Sequence, residues 1–180
     1  MASILVLYGT GEGQTRKIAA RIRTTLSEMG HSVQIRDVET ISLPFDVTDF
    51  DLVIVGSPIH RGTPRGSILT FLQQTVDDLN TMPSAYFQVS LSSASPNEAQ
   101  QKEALTYIES LLDDTGWEPD RIAQFGGALR YSEYGFLTTI IMRRIAKGVT
   151  GDTDTSRDYE YTDWEAVDDF SRAVSTLVAT

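Results

Sequence analysis

The chain has 180 residues, no cysteine and a formal net charge of −10. That length suits one domain with a substantial core, and the missing thiols exclude disulfides, iron–sulfur clusters and cysteine nucleophiles. With no basic excess to neutralise phosphates, nucleic acid is not expected as a partner. Among 15 basic residues only Lys17, Lys102 and Lys147 are lysines, an acidic, lysine-poor balance of the kind that suits a salt-rich cytoplasm. No stretch is long and apolar enough to span a bilayer and no secretory layout opens the chain, so a cytoplasmic location is expected.

The apolar run Ile4–Leu7 predicts a first strand, and Ile18, Ala19, Ile22 and Leu26 share one face of a helix that follows it. Between them lies Tyr8-Gly9-Thr10-Gly11-Glu12-Gly13-Gln14-Thr15. A strand, a loop of small residues and a helix N-terminus bring backbone N–H groups and the positive end of a helix dipole to one point, which suits a phosphate. The loop lacks the lysine of a P-loop, and Gln14 stands where a dinucleotide fingerprint needs its last glycine. A phosphomonoester held by neutral donors fits, and flavin mononucleotide (FMN) fits better than ATP or NAD. The expected phosphate contacts are Thr10, Gly11, Glu12, Gly13, Gln14 and Thr15. Asp37 falls where a dinucleotide fold places its ribose-binding acid, which keeps that alternative open.

Further along, Gly30 is the expected stop of the first helix, with His31 as an exposed turn residue. Ser32–Val38 alternates like an edge strand, and residues 39–50 read as loop. Leu52–Val55 reads as a strand covered on both faces. Gly56–Pro64, with two prolines and two glycines, reads as the loop after it, and Ser67–Asn80 as a helix. Ala85–Leu91 is the next buried strand, Ser92–Asn97 a loop, Glu98–Asp113 a helix, and Ile122–Phe125 a fifth strand closed by Gly126-Gly127. Trp117 is read as loop packing. Asp152 and Asp154 are read as turn and capping residues, so no metal site is expected. Thr162 and Glu165 fit a capping box for a last helix over 163–177, with Trp164 in the core.

Alternating strands and helices predict an α/β fold: one domain over 1–180 with a doubly wound, five-stranded parallel sheet. In such a sheet the ligand lies beyond the carboxyl ends of the strands, where the strand order reverses. The loops at 9–15, 57–64 and 90–97 therefore converge. Ser57, Pro58, Ile59, His60, Arg61 and Gly62 from the second, and Leu91, Ser92 and Ser93 from the third, are the further cofactor candidates.

The stretch from 130 to 150 departs from the rest. It holds no acidic residue from 134 onward, and its helical pattern puts Leu137, Ile140, Ile141 and Ile145 on one face and Arg143, Arg144 and Lys147 towards another. In an acidic chain such a segment suits one of three tasks: covering the cofactor, meeting a membrane surface through 136–150, or holding a partner. The alternative is an ordinary helix that packs this apolar face on the sheet.

Thr10 with Gly13-Gln14-Thr15 resembles the phosphate loop of flavodoxins. Met82–Phe87, Trp117–Arg121, Gly127–Tyr131, Gly151–Thr155 and Tyr161–Glu165 resemble the menaquinone-dependent, flavodoxin-type protoporphyrinogen IX dehydrogenase family, and the likeness runs over nearly the whole chain. It implies a flavodoxin-like sheet of order 2-1-3-4-5, one non-covalent FMN, and a long insertion at about 130–160 before the last helix. It also implies oxidation of protoporphyrinogen IX to protoporphyrin IX in haem biosynthesis, with electrons leaving through FMN to a quinone. A porphyrinogen needs an apolar wall and cations for its carboxylates. Arg130 and Tyr131 are the substrate-side candidates, with Tyr134, Phe136, Arg143 and Arg144 near them, and no catalytic acid or base is assigned. Two other readings stay open: a flavodoxin that only carries electrons to a redox-protein partner, and an NAD(P)H or quinone reductase.

Overall fold

The computed structural model describes residues 1–178, except the side chains at 133 and 137, so the expectation for the Leu137 side chain lies outside the described residues. The elements run β1 (Ser3–Tyr8), α1 (Gln14–Glu28), β2 (Ser32–Asp37), β3 (Leu52–His60), β4 (Thr63–Pro64), α2 (Gly66–Leu79) and β5 (Ser84–Ser90). They continue with α3 (Glu98–Thr115), β6 (Arg121–Gly126), β7 (Ala128–Leu129), α4 (Phe136–Val149), β8 (Tyr159–Glu160) and α5 (Trp164–Ser175). The parallel sheet has the order β2-β1-β3-β5-β6, which is the expected 2-1-3-4-5 once the two-residue β4 is set aside. The order reverses between β1 and β3, where the crevice belongs.

Each sheet face carries its own core, because the central strands are apolar at successive positions. On one face Ile4, Val6, Ile54 and Phe87 pack on Ile18 and Ile22 of α1 and on Val167 and Phe170 of α5. On the other, Leu5, Leu7, Val53, Val55 and Tyr86 pack on Phe71 and Leu72 of α2 and Ile108 and Leu111 of α3. Arg21 of α1 and Asp168 of α5 form a bidentate pair, which holds the Asp168 carboxyl down at about 2.

Trp117 is the first correction. It is fully buried in the second core, donates from Nε1 to Ser84 Oγ at 3.0 Å, and meets the Tyr86 ring edge-on. The turn after α3 folds back over the sheet edge, so a residue in irregular backbone fills the core. His31 is half-buried rather than exposed: its Nδ1 accepts from the Ala2 amide at 3.3 Å and Nε2 meets Ser175 Oγ at 2.8 Å.

A second correction concerns 56–64. β3 does not end at Val55 but runs on through Ser57, Pro58 and Ile59 to His60. β1 ends opposite Gly56, so past that point β3 pairs with β5 alone on the parallel side, and Pro58 owes β1 no ladder bond. Arg61 (φ 52°) and Gly62 (φ 79°) then reverse the chain in a two-residue turn, and β4 returns antiparallel on Ile59 and His60.

The capping box is the third. Asp163, not Thr162, caps α5: its carboxylate accepts from the amides of Glu165 and Ala166. Trp164 is only partly buried, and its Nε1 donates to Glu160 Oε1.

The segment 127–160 builds a small unit at the sheet end. β7 and β8 pair antiparallel, and Leu129, Tyr131 and Ala146 are its buried centre, with Leu91, Met142, Tyr159 and Tyr161 packed around them. Tyr131 donates to the Asp152 carbonyl at 3.1 Å, and Ser95 Oγ and Gln100 Nε2 donate to carbonyls at the end of α4. The face of α4 expected to reach a core does not: Phe136 is 80 % exposed, Ile140 49 %, Ile141 48 % and Ile145 39 %. Both sheet faces are already covered by α1 with α5 and α2 with α3; among the described residues α4 docks through Met142 and Ala146 and leaves Phe136, Ile140, Ile141 and Ile145 outward.

Candidate functional site

The strand–loop–helix unit expected around residues 9–15 is present, with the loop joining β1 to α1. Gly13 takes φ +89° at the N-cap of α1, a conformation open to glycine, and Thr10 Oγ1 accepts from the Gly13 amide at 3.0 Å to tighten the turn. No side chain caps α1 and no acidic residue occupies its first turn. Its leading N–H groups and its dipole are thus directed at the loop, the arrangement that holds phosphate groups. Gln14 and Thr15 are buried at the start of the helix.

Gly11 allows a second loop to close in. A Cβ there would meet His60 Nε2 at 2.5 Å, so the tip of β3 lies directly over the phosphate loop. Between them opens a shallow crevice with about 70 Å³ of accessible space. Glu12, Gln14 and Thr15 line it from the first loop, Pro58, Ile59 and His60 from the second, and Leu91 with Val89 and Ser90 from the third. Gly127, Ala128 and Met142 close the side formed by the 127–160 unit.

Not every expected residue reaches it. Ser57 is fully buried; its hydroxyl donates to the Pro58 carbonyl and accepts from the Arg65 amide, which holds the start of α2. Arg61 and Gly62 form the hairpin tip beyond the crevice wall. Ser92 and Ser93 lie in a 3-10 turn, where Ser93 Oγ pairs with Ser90 Oγ and Gln124 Oε1. Tyr131 is buried in the insertion's own core and does not line the crevice.

The residues that sequence reasoning missed come from the far side of the chain. Val89, Ser90, Gly127 and Ala128 sit at the carboxyl ends of β5 and β6, where the strand-end rule directs attention. Met142 was hidden because the helical pattern put the wider apolar stripe inward. Thr162 gave no sequence signal beyond capping, yet its Oγ1 donates to the Gly126 carbonyl at 2.7 Å and accepts from Gln14 Nε2 at 2.8 Å. Gln14 Oε1 accepts from an Arg130 NH2 group at 3.1 Å. Tyr134 OH donates to Glu12 Oε2 at 2.6 Å, and burial together with that carboxylate raises the phenol's pKa. The insertion is therefore latched to the phosphate loop at two side chains, and Glu12 spends its charge on Tyr134.

A small-residue loop without lysine or arginine on an uncapped helix, at the strand-order reversal of a 2-1-3-4-5 sheet, defines a flavodoxin-type protein. The chain belongs to the flavodoxin domain family, which matches residues 5–156. Within that family it is 34 % identical over 173 residues to protoporphyrinogen IX dehydrogenase [quinone] of Escherichia coli K12, covering 96 % of this chain and 94 % of that one. The protein of the same name in Leishmania major is 30 % identical over 179 residues, covering 96 % and 74 %. Oxidised flavodoxin 1 of Bacillus cereus superposes with a TM-score of 0.60 at 14 % identity, over 98 % of this chain and 99 % of that one, which bears on the fold alone.

Proposed function

We propose that this chain is an FMN-dependent oxidoreductase that oxidises protoporphyrinogen IX to protoporphyrin IX and passes the electrons to a quinone. The observation that carries the cofactor is the uncapped N-terminus of α1 behind Gly11 and Gly13, facing a crevice walled by β3 and β5. The substrate and acceptor come from the near-full-length likeness to enzymes of that name. The residues present fit FMN: neutral donors for its phosphate, and the apolar Pro58, Ile59, Val89, Leu91 and Met142 beside a flat ring. When bound, FMN supplies the two-electron chemistry. The chain's part is to bind the phosphate at residues 10–15, to wall the ring with the β3 hairpin, and to keep water from it with the 127–160 unit. His60, over Gly11, stands at the mouth of the crevice.

The test is anaerobic. FMN-loaded protein is mixed with protoporphyrinogen IX and the visible flavin band is followed. Bleaching is expected, with recovery on adding a quinone. FMN binding without bleaching would replace the reading by an electron carrier, and bleaching by NADPH but not by the porphyrinogen would replace it by an NAD(P)H reductase.

A quinone acceptor lies in lipid, and α4 gives the protein a means to approach it. Exposed Phe136, Ile140, Ile141 and Ile145 share this helix with Arg143, Arg144 and Lys147, a basic apolar surface on a chain of net charge −10. Among the described residues no helix is long and apolar enough to cross a membrane, so α4 lies on an anionic lipid surface rather than through it. Vesicles containing phosphatidylglycerol should sediment the protein, and the double substitution Ile140→Asp with Ile141→Asp should cut the bound fraction about tenfold or more by removing two apolar anchors and adding two repulsive charges. Equal sedimentation of both proteins would overturn this role for α4.

A further inference from the structure

We infer that Arg130, from the insertion, is a ligand of the cofactor's phosphate and makes this site prefer a phosphorylated flavin to riboflavin. The inference rests on the FMN reading above and gives Arg130 a different partner from the substrate carboxylate that the sequence suggests.

Three observations converge. One NH2 group of Arg130 donates to Gln14 Oε1 at 3.1 Å, so the guanidinium reaches the first residue of α1, beside the uncapped N–H groups. Its Nε is buried and has no hydrogen-bond partner among the described residues. A buried, unmatched N–H on a permanent cation is costly, and a guanidinium offers donors in a fork whose natural complement is a planar or tetrahedral oxyanion. The Arg130 fork is therefore only partly used by the protein, at the point where an anion is expected.

The charge of the loop gives the same answer. The phosphate loop contains no lysine or arginine and does contain Glu12, whose carboxylate would repel a phosphate dianion. Tyr134 draws that carboxylate into a 2.6 Å hydrogen bond. The Tyr134 hydroxyl also accepts from the Arg130 backbone amide at 3.2 Å. One short segment of the insertion thus holds the loop's anion and brings the cation the loop lacks. The arginines of α4 cannot serve in this way, since Arg143 and Arg144 are exposed on its outer side. Gln14 fixes the approach: held by Thr162 at its amide nitrogen, it presents only its oxygen to Arg130.

The experiment titrates apoprotein of the full chain with FMN and, separately, with riboflavin, following flavin fluorescence. Wild type, Arg130→Gln and Arg130→Lys are compared. Arg130→Gln should weaken FMN about 10–100-fold, the range of a lost charge-assisted contact, while riboflavin affinity stays within about twofold. Retained riboflavin binding also reports that the variant is folded. Arg130→Lys should recover part of the FMN loss by keeping the charge without the fork. Equal loss of both flavins in Arg130→Gln and Arg130→Lys, or unchanged FMN binding in both, overturns the assignment while leaving the cofactor reading intact. Wild type that binds riboflavin and FMN equally overturns it as well. Wild type that binds no flavin overturns the cofactor reading itself and this assignment with it.

Discussion

Truncating Phe87 to alanine is expected to cost about 3–5 kcal/mol of folding stability, the cost of removing a large aromatic from a packed core. The ring is fully buried at the centre of the sheet. It lies 6.0 Å from the Phe125 ring and 6.4 Å from that of Phe170, tying β5, β6 and α5 together. It also occupies the space above Gly56, where a Cβ would fall 2.0 Å from its Cζ. On the Gly56 side no side chain is present to move into the hole, which limits collapse there. At roughly 2–4 °C per kcal/mol for a domain of this size, Tm should fall by about 6–20 °C. Chemical denaturation at constant m-value checks the figure, and a loss under about 1 kcal/mol would contradict the packing described.

The second large effect is expected at Gly126. A Cβ there would lie 2.4 Å from the Tyr161 carbonyl oxygen and 2.9 Å from its carbon, both backbone atoms that have no rotamer by which to yield. Gly126→Val should therefore push the returning segment off the end of β6. It would break the bonds from Thr162 Oγ1 to the Gly126 carbonyl and from the Tyr161 amide to the Gly127 carbonyl. Overpacking of this kind costs about 1–3 kcal/mol. Cofactor binding should suffer as well, since Gln14 loses the Thr162 contact that orients it, and FMN affinity is expected to drop by about tenfold or more. Flavin titration beside a thermal melt separates the two losses. A variant with normal flavin affinity would show that Thr162 does not support the phosphate loop.

Much of the architecture was legible because its signals are local. Apolar runs such as Leu52–Val55 and Ala85–Leu91 announce buried parallel strands, and Gly11, Gly13 and the helix after them announce a phosphate loop. What failed was set by distant neighbours. Pro58 reads as loop until one knows that β1 has already ended beside it and β4 will return. The stripe on α4 reads as core-facing until both sheet faces are seen to be full. Trp117 lies in irregular backbone yet is core, because burial depends on where the chain passes and not on its periodicity. Thr162 looked like a helix cap because Ser, Thr and Asp do that work locally, but a partner 148 residues away claimed its hydroxyl. At the crevice, Glu12, Gln14 and Thr15 line one side, and of Ser57–Gly62 only Pro58, Ile59 and His60 reach it, because Ser57 is tied to the start of α2 and the hairpin tip turns away.

The contact between Gln14 and Thr162 also sets an order of assembly. Residues from the first loop and from the last quarter of the chain must meet before the cofactor site is whole, and Arg21 with Asp168 and Thr25 with Asp168 repeat the same long closure a few turns along α1. During synthesis β1, α1 and β3 emerge early with the phosphate loop already formed, but its supports are still untranslated. α5 is made long after α1, so until it emerges the face of the central strands that the two helices share is covered by α1 alone, without Val167 and Phe170. FMN then best stabilises molecules in which Thr162 has already reached Gln14, and a supply of flavin favours these over chains that stop before it by mass action.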